Sequence, residues 1–248
     1  MMNCKTYYIT KGDTIIFAPK YKGDINIDID MISNYSKLIF SDYNLNETLF
    51  DSYKNIDSYF FSHTNSLFNN EINNLPSNLT HLVFGYSFDK EVNNLPSNLT
   101  HLVFGYSFNQ KVDNLPSNLT HLVFGYSFNK EVYNLPNSIE ELRFGIEFNQ
   151  KLDNLPSSIH KINFHQYSKF NLELNCLPIF VEELELGGDF NLELDSFPKS
   201  LKYLKLPLKY DKKISQPLNK IMTISCSRKY YVKYKKDLTR YNIKCIKF

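Results

Sequence analysis

Apolar positions recur along this chain at a fixed step. The phrase LPSNLTHLVFGYSF occupies Leu75–Phe88, then returns unchanged at Leu95–Phe108 and Leu115–Phe128, 20 residues apart each time. A constant period of this size is the signature of a solenoid whose turns touch mainly their two neighbours. Within one phrase the apolar residues are Leu75, Leu79, Leu82, Phe84 and Phe88. Thr80–Phe84 is β-branched and aromatic enough for a short strand. Alternation then points Leu82 and Phe84 inward, and His81 and Val83 outward. Gly85 is placed for a tight turn after the strand. Pro76 and Ser77 mark a turn before it. The remaining residues of a unit are too few for two bends and a full helix, so the return should be extended or 3₁₀. One such unit buries too little to stand alone; stacking and terminal caps must complete it.

The pattern wears toward both ends. Thr6–Thr10 and Thr14–Phe17 flank Lys11-Gly12-Asp13 and read as a hairpin cap. Met31–Tyr35 aligns with Leu75–Leu79, which sets Leu38 and Phe40 in the places of Leu82 and Phe84. A second worn unit puts Ile56, Tyr59 and Phe61 in the Leu79, Leu82 and Phe84 places. Clear units open at Phe68, Phe88, Phe108, Phe128 and Phe148, and looser ones at Phe170 and Phe190. The unit from Phe148 is two residues longer, because His165–Phe170 replaces the shorter Gly85–Phe88 step. Tyr210-Asp211 begins a last unit ending near Cys226; Lys229–Arg240 then reads as a short helix and Ile243–Phe248 as a final strand. The organisation is therefore one repeat domain: a cap hairpin over 1–23, worn repeats over 24–67, regular repeats over 68–209, and a worn repeat with a basic cap over 210–248. Asparagine forms two columns. One follows the opening Phe at Asn69, Asn109, Asn129, Asn149, Asn171 and Asn191, with Asp89 and Asp211 as substitutes; the other precedes Leu-Pro at Asn74, Asn94, Asn114, Asn134 and Asn154. Stacked amides of this kind can bond backbone groups of adjacent turns.

The run Leu79-x-x-Leu82-x-Phe84 resembles the L-x-x-L-x-L core of leucine-rich repeats, with Phe in the third place. With the Phe-Asn opening, the Leu-Pro-x-x-Leu run and the closing Phe-Gly, the units look like the FNIP repeat. That family is a short leucine-rich-repeat relative of social amoebae and amoeba-infecting giant viruses. The resemblance covers roughly Phe68–Lys209. It implies a mostly β, leucine-rich-repeat-like parallel β-solenoid with units of about 20–22 residues and terminal caps. It also implies a protein-interaction role. Some relatives carry an amino-terminal F-box; residues 1–67 here read as strands and a worn repeat instead.

Composition adds bounds. Net charge is +2, but residues 199–248 hold 15 Lys+Arg against 2 Asp+Glu, whereas residues 1–198 hold 13 against 24. Cys4, Cys176, Cys226 and Cys245 lack CxxC spacing, which points to free thiols rather than zinc or redox motifs. No run approaches the length of a membrane span, and the first residues lack the apolar run of a signal peptide. These features suggest a cytoplasmic protein, in host cytoplasm if viral. Asn-x-Ser/Thr at Asn34, Asn46, Asn78, Asn98 and Asn118 is then a chance match. A single Ala18 among many Asn residues argues against a helical solenoid.

No GxSxG, HExxH or P-loop is present, so no enzyme class is indicated, and no cofactor. Two surfaces remain. The first is an outward strand face on units 68–127. It is built from His81, Val83, Tyr86, His101, Val103, Tyr106, His121, Val123 and Tyr126, with Arg143 further along. An apolar and aromatic patch of this kind suits a protein partner. The histidine column also invites a zinc reading, but it continues as Glu141, Lys161, Glu183 and Tyr203, which keeps no ligand pattern. In mild acid it would gather like charges. The second surface is the tail, where Tyr230, Tyr231, Tyr234 and Tyr241 interleave with Lys229, Lys233, Lys235, Lys236 and Arg240. It suits RNA or an anionic lipid surface, or else a soluble cap over the last turn. The sequence leaves the oligomeric state open.

Overall fold

A computed structural model describes residues 8–23, 25, 29–41, 66–214, 223–238 and 242–246. The worn unit of Ile56, Tyr59 and Phe61 lies outside these residues, as do Cys4, Arg240 and Tyr241. The chain forms two compact units, Met1–Phe128 and Asn129–Phe248. Each is a parallel β-solenoid.

In the first unit, β1 (Tyr8–Lys11) and β2 (Thr14–Phe17) form an antiparallel hairpin, turned at Gly12 with φ 57°. Five strands then stack parallel in chain order: β2, β3 (Lys37–Phe40), β4 (His81–Val83), β5 (His101–Val103) and β6 (His121–Val123), with a single helical turn, α1 (Ile29–Ile32), between β2 and β3. Ile15 pairs with Leu38, Leu38 with Leu82, and Leu82 with Leu102. The hairpin's second strand is therefore already a turn of the stack as well as its cap. In the second unit β7 (Glu141–Phe144), β8 (Lys161–Phe164), β9 (Glu183–Glu185), β10 (Tyr203–Lys205), β11 (Thr223–Ser227) and β12 (Asn242–Ile246) are all parallel. A helix, α2 (Arg228–Leu238), joins the last two, with a break in its geometry at Tyr234. The return segments of residues 68–209 bend through turns and contain no helix.

Aromatic rings fill the interior. Phe84, Phe104 and Phe124 stack at 5.8 Å, and Phe88, Phe108 and Phe128 at 6.2 and 6.1 Å. The two columns meet inside each turn, where Phe84 lies 3.7 Å from Phe88. All six rings are buried. In the second unit the outer column runs Phe148, Phe170, Phe190, Tyr210, Tyr230, and Tyr230 on α2 closes it. The inner column changes from Phe144 and Phe164 to the buried Leu186 and Leu206.

Polar repeats hold the turns in register. The amide of the residue after each opening Phe donates to the side chain one turn back: Asp89 to Asn69 Oδ1 at 2.9 Å, Asn109 to Asp89 Oδ1 at 2.8 Å, Asn149 to Asn129 and Asn171 to Asn149. Asp serves as well as Asn because only an acceptor oxygen is needed. The column before Leu-Pro behaves differently. All five of its asparagines are exposed, and Asn154 adopts a left-handed φ of 62°. The asparagines inside the phrase link adjacent turns. Asn98 Nδ2 donates to Ser77 O at 2.8 Å, and Asn118 Nδ2 to Ser97 O at 2.9 Å. Proline turns supply a further bond, with the Leu79, Leu99 and Leu119 amides donating to the carbonyls of Pro76, Pro96 and Pro116.

Gly85 opens the tight turn expected after the strand, where the Phe88 amide donates to its carbonyl at 3.4 Å. It does so without positive φ, as do Gly105 and Gly125, and the glycine also serves close approach. A Cβ on Gly105 would lie 2.1 Å from the Gly85 carbonyl oxygen, and one on Gly125 would lie 1.9 Å from that of Gly105. The obstacle is backbone, so it cannot rotate away. Gly105→Ala should lower stability by about 1–3 kcal/mol, the usual cost of overpacking. A shift of the urea midpoint to lower concentration checks this; an unchanged midpoint would show that the turns do not pack this closely.

Candidate functional site

The outward face of the first unit is built from three columns. Register sets His81 beside His101 and His101 beside His121. Their rings stack at 4.1 and 4.2 Å, tilted by 7° and 10°. Tyr86, Tyr106 and Tyr126 form a second rail at 4.5 and 4.4 Å. Both rails are half-buried to exposed, Tyr106 the most open at 37%.

The third column corrects the expected contact surface. Val83, Val103 and Val123 are 7%, 2% and 5% exposed, too covered to offer an apolar patch. They join Ile16 and Ile39 in one buried ladder, with Ile9 packed against its start. The cause is the spacing itself. Strands about 4.8 Å apart bring identical β-branched side chains into mutual contact. The strand face thus carries a second small core, and what remains accessible is aromatic and polar.

The histidines are fixed by their neighbours. Thr80, Thr100 and Thr120 lie 2.8, 2.9 and 2.8 Å from Nδ1 of the following histidine. Each hydroxyl also donates to a carbonyl one turn back, at Ser36, Thr80 and Thr100, all at 3.1 Å. A hydroxyl has one proton, so the pattern is satisfied when Nδ1–H donates to the threonine and Nε2 keeps the lone pair. Burial lowers the pKa of His81 and His101 to about 4; Lys37 adds to this at His81, and the stacked imidazoles add at both. His81 and His101 are therefore neutral near pH 7. The rail's rings turn faces toward one another, and among the described residues no group of three or more His, Cys, Asp or Glu is placed to hold a metal ion.

The FNIP repeat pattern matches residues 68–93, 91–114, 111–146, 131–167 and 170–209, more than half of the chain. The chain belongs to the FNIP repeat family. Its fold is similar to that of CroV588, solved as a novel circular LRR protein structure, at 29% identity and a TM-score of 0.60. The match covers 88% of this chain and 41% of that one, so this chain spans well under half of its structural relative. A search of curated proteins finds no match.

In the second unit the FNIP strand face is charged. Arg143 has a side chain only 14% exposed and pairs with Glu141 at 3.3 Å. Lys161 pairs with Glu183 at 3.3 Å and Lys205 with Glu185 at 3.0 Å. Most charges on these strands are thus engaged with their own neighbours. His165, the FNIP unit's replacement for glycine, is buried, and its Nδ1 accepts the Tyr167 amide at 3.1 Å. No helix among the described residues is long and apolar enough to cross a membrane.

The tail residues divide. Tyr230 is buried, and its hydroxyl donates to Lys212 O at 3.0 Å. Tyr234 Oη and Lys233 Nζ both donate to Asp211 O, at 2.6 and 3.0 Å. These three tie α2 to the last turn of the stack. Lys229, Lys235 and Lys236 are exposed. The sequence did not separate the two groups, because helical phase alone does not show where the preceding turn presents its carbonyls.

The lowered pKa values make stability depend on pH. Above about pH 6.5 the two histidines are neutral in both folded and unfolded chains. Between 6.5 and 4 the unfolded chain takes up protons that the folded chain does not, so folding weakens as pH falls through this window. Replacing His81 and His101 with Gln should flatten that slope. Urea midpoints across the window test it; an equally steep slope in the variant would place the titrating groups elsewhere.

Proposed function

We propose that this FNIP protein is a non-enzymatic scaffold that works in the cytoplasm and binds a protein partner through the strand face of residues 68–127. The observation that carries this reading is the pair of stacked rails, His81/His101/His121 and Tyr86/Tyr106/Tyr126, on either side of a sealed valine ladder. Stacking holds each ring in place before a partner arrives, which lowers the ordering cost of binding. Tyrosine presents a large apolar body with a polar tip, the side-chain type that dominates interface energetics. Arg143 lies on the charged strand face of the second unit, and we assign it to orientation rather than affinity because it is already ion-paired.

Replacing Val83, Val103 and Val123 with Asp cannot serve as the test, since a buried carboxylate would unfold the ladder. The informative variant is Tyr86/Tyr106/Tyr126→Ser. In pull-downs from amoebal lysate at low and high salt, the intact chain should retain a protein partner that survives high salt. The tyrosine variant, with unchanged circular dichroism, should lose it by about ten-fold or more. Undiminished capture by that variant would overturn the proposed face.

A further inference from the structure

We propose that the C-terminal cap also docks on anionic lipid surfaces through the solvent side of α2. Apart from its single anion, Asp237, this helix carries five cations, and Asp237 is engaged by Lys213 at 3.1 Å. Arg228, Lys229, Lys235 and Lys236 all face solvent. Val232 lies among them, 67% exposed, as open as any large apolar side chain in the described residues. The opposite side of the helix is committed to the cap through buried Tyr230 and Leu238. Lys212 and Lys213 extend the basic surface onto the preceding turn, which the bonds to Tyr230 and Asp237 hold against the helix.

The structure favours a lipid surface over a single-stranded nucleic acid. Sequence-tolerant binding of single strands needs aromatic faces on which bases can stack. Tyr230 is buried and Tyr234 is turned to the Asp211 carbonyl, so two of the tail's tyrosines serve the cap. What the helix offers outward is an apolar tip ringed by cations. That pairing matches a headgroup layer, where cations meet lipid phosphates and carboxylates and the apolar tip enters the boundary beneath. It acts separately from the strand face of residues 68–127, so either site can fail without the other.

The test is co-sedimentation of the full chain with phosphatidylcholine vesicles, with and without phosphatidylserine, against a parallel binding assay on single-stranded RNA. Binding should require phosphatidylserine and fall with salt. Each cation near an anionic surface strengthens attachment by roughly five-fold. Lys229/Lys235/Lys236→Gln should therefore weaken vesicle binding by about a hundred-fold, and Lys229/Lys235/Lys236→Glu more. Val232→Ser, which keeps every charge, should weaken it by several-fold. Equal binding to vesicles lacking phosphatidylserine would overturn the proposal, as would undiminished binding by the Gln variant. RNA binding that depends on the same lysines, without vesicle binding, would reassign the surface to nucleic acid.

Discussion

Parallel pairing sets strands about 4.8 Å apart and brings each residue beside its counterpart one period on. The repeated features of the stack follow from that constraint. A side chain in such a stack must tolerate its own copy above and below. Phenylalanine does so by ring stacking, as in the Phe84 and Phe88 columns. Asparagine does so by bonding the backbone amide of the next turn. Glycine does so by having no Cβ to strike the carbonyl beneath it. Histidine does so by remaining neutral, since a charged imidazole would face another at about 4 Å.

The same constraint decides what the surface can offer. A column of identical valines seals itself, whereas a column of tyrosines leaves one edge of every ring open. In the second unit the repeat diversifies, and ladders of like residues give way to ladders of opposite charge, such as Lys161 with Glu183. The two units therefore present different chemistry on the same kind of strand face. One is aromatic and preorganised; the other is ionic and largely self-satisfied.

The inward columns were legible because period and alternation alone fix them: Leu82, Phe84 and Phe88 are buried where the pattern placed them. The worn strand at Leu38 was legible for the same reason, since its register with Leu82 follows from aligned apolar positions. The outward face was less so. Alternation says which way Val83 points, but the covering comes from neighbours along the stack, which one unit's pattern does not contain. Asn98 and Asn118 read as chance glycosylation matches, and their bonds to Ser77 and Ser97 emerge only once turns are superposed. Their Leu-Pro-Ser-Asn setting was the available signal, because an invariant amide at a turn invites a backbone partner.

The 20-residue turn is the unit of folding and draws its stability from its neighbours. Removal of residues 89–108 tests it most directly, because Phe88 then joins Asn109 and restores the Phe-Asn opening of an intact turn. Thermal unfolding followed by circular dichroism should show that this shortened chain keeps its strand signal and a cooperative transition at lower temperature. Removal of residues 99–108 alone, half a turn, should abolish the transition, since it sets core positions against polar ones. Equal tolerance of both deletions, or equal collapse, would contradict the account.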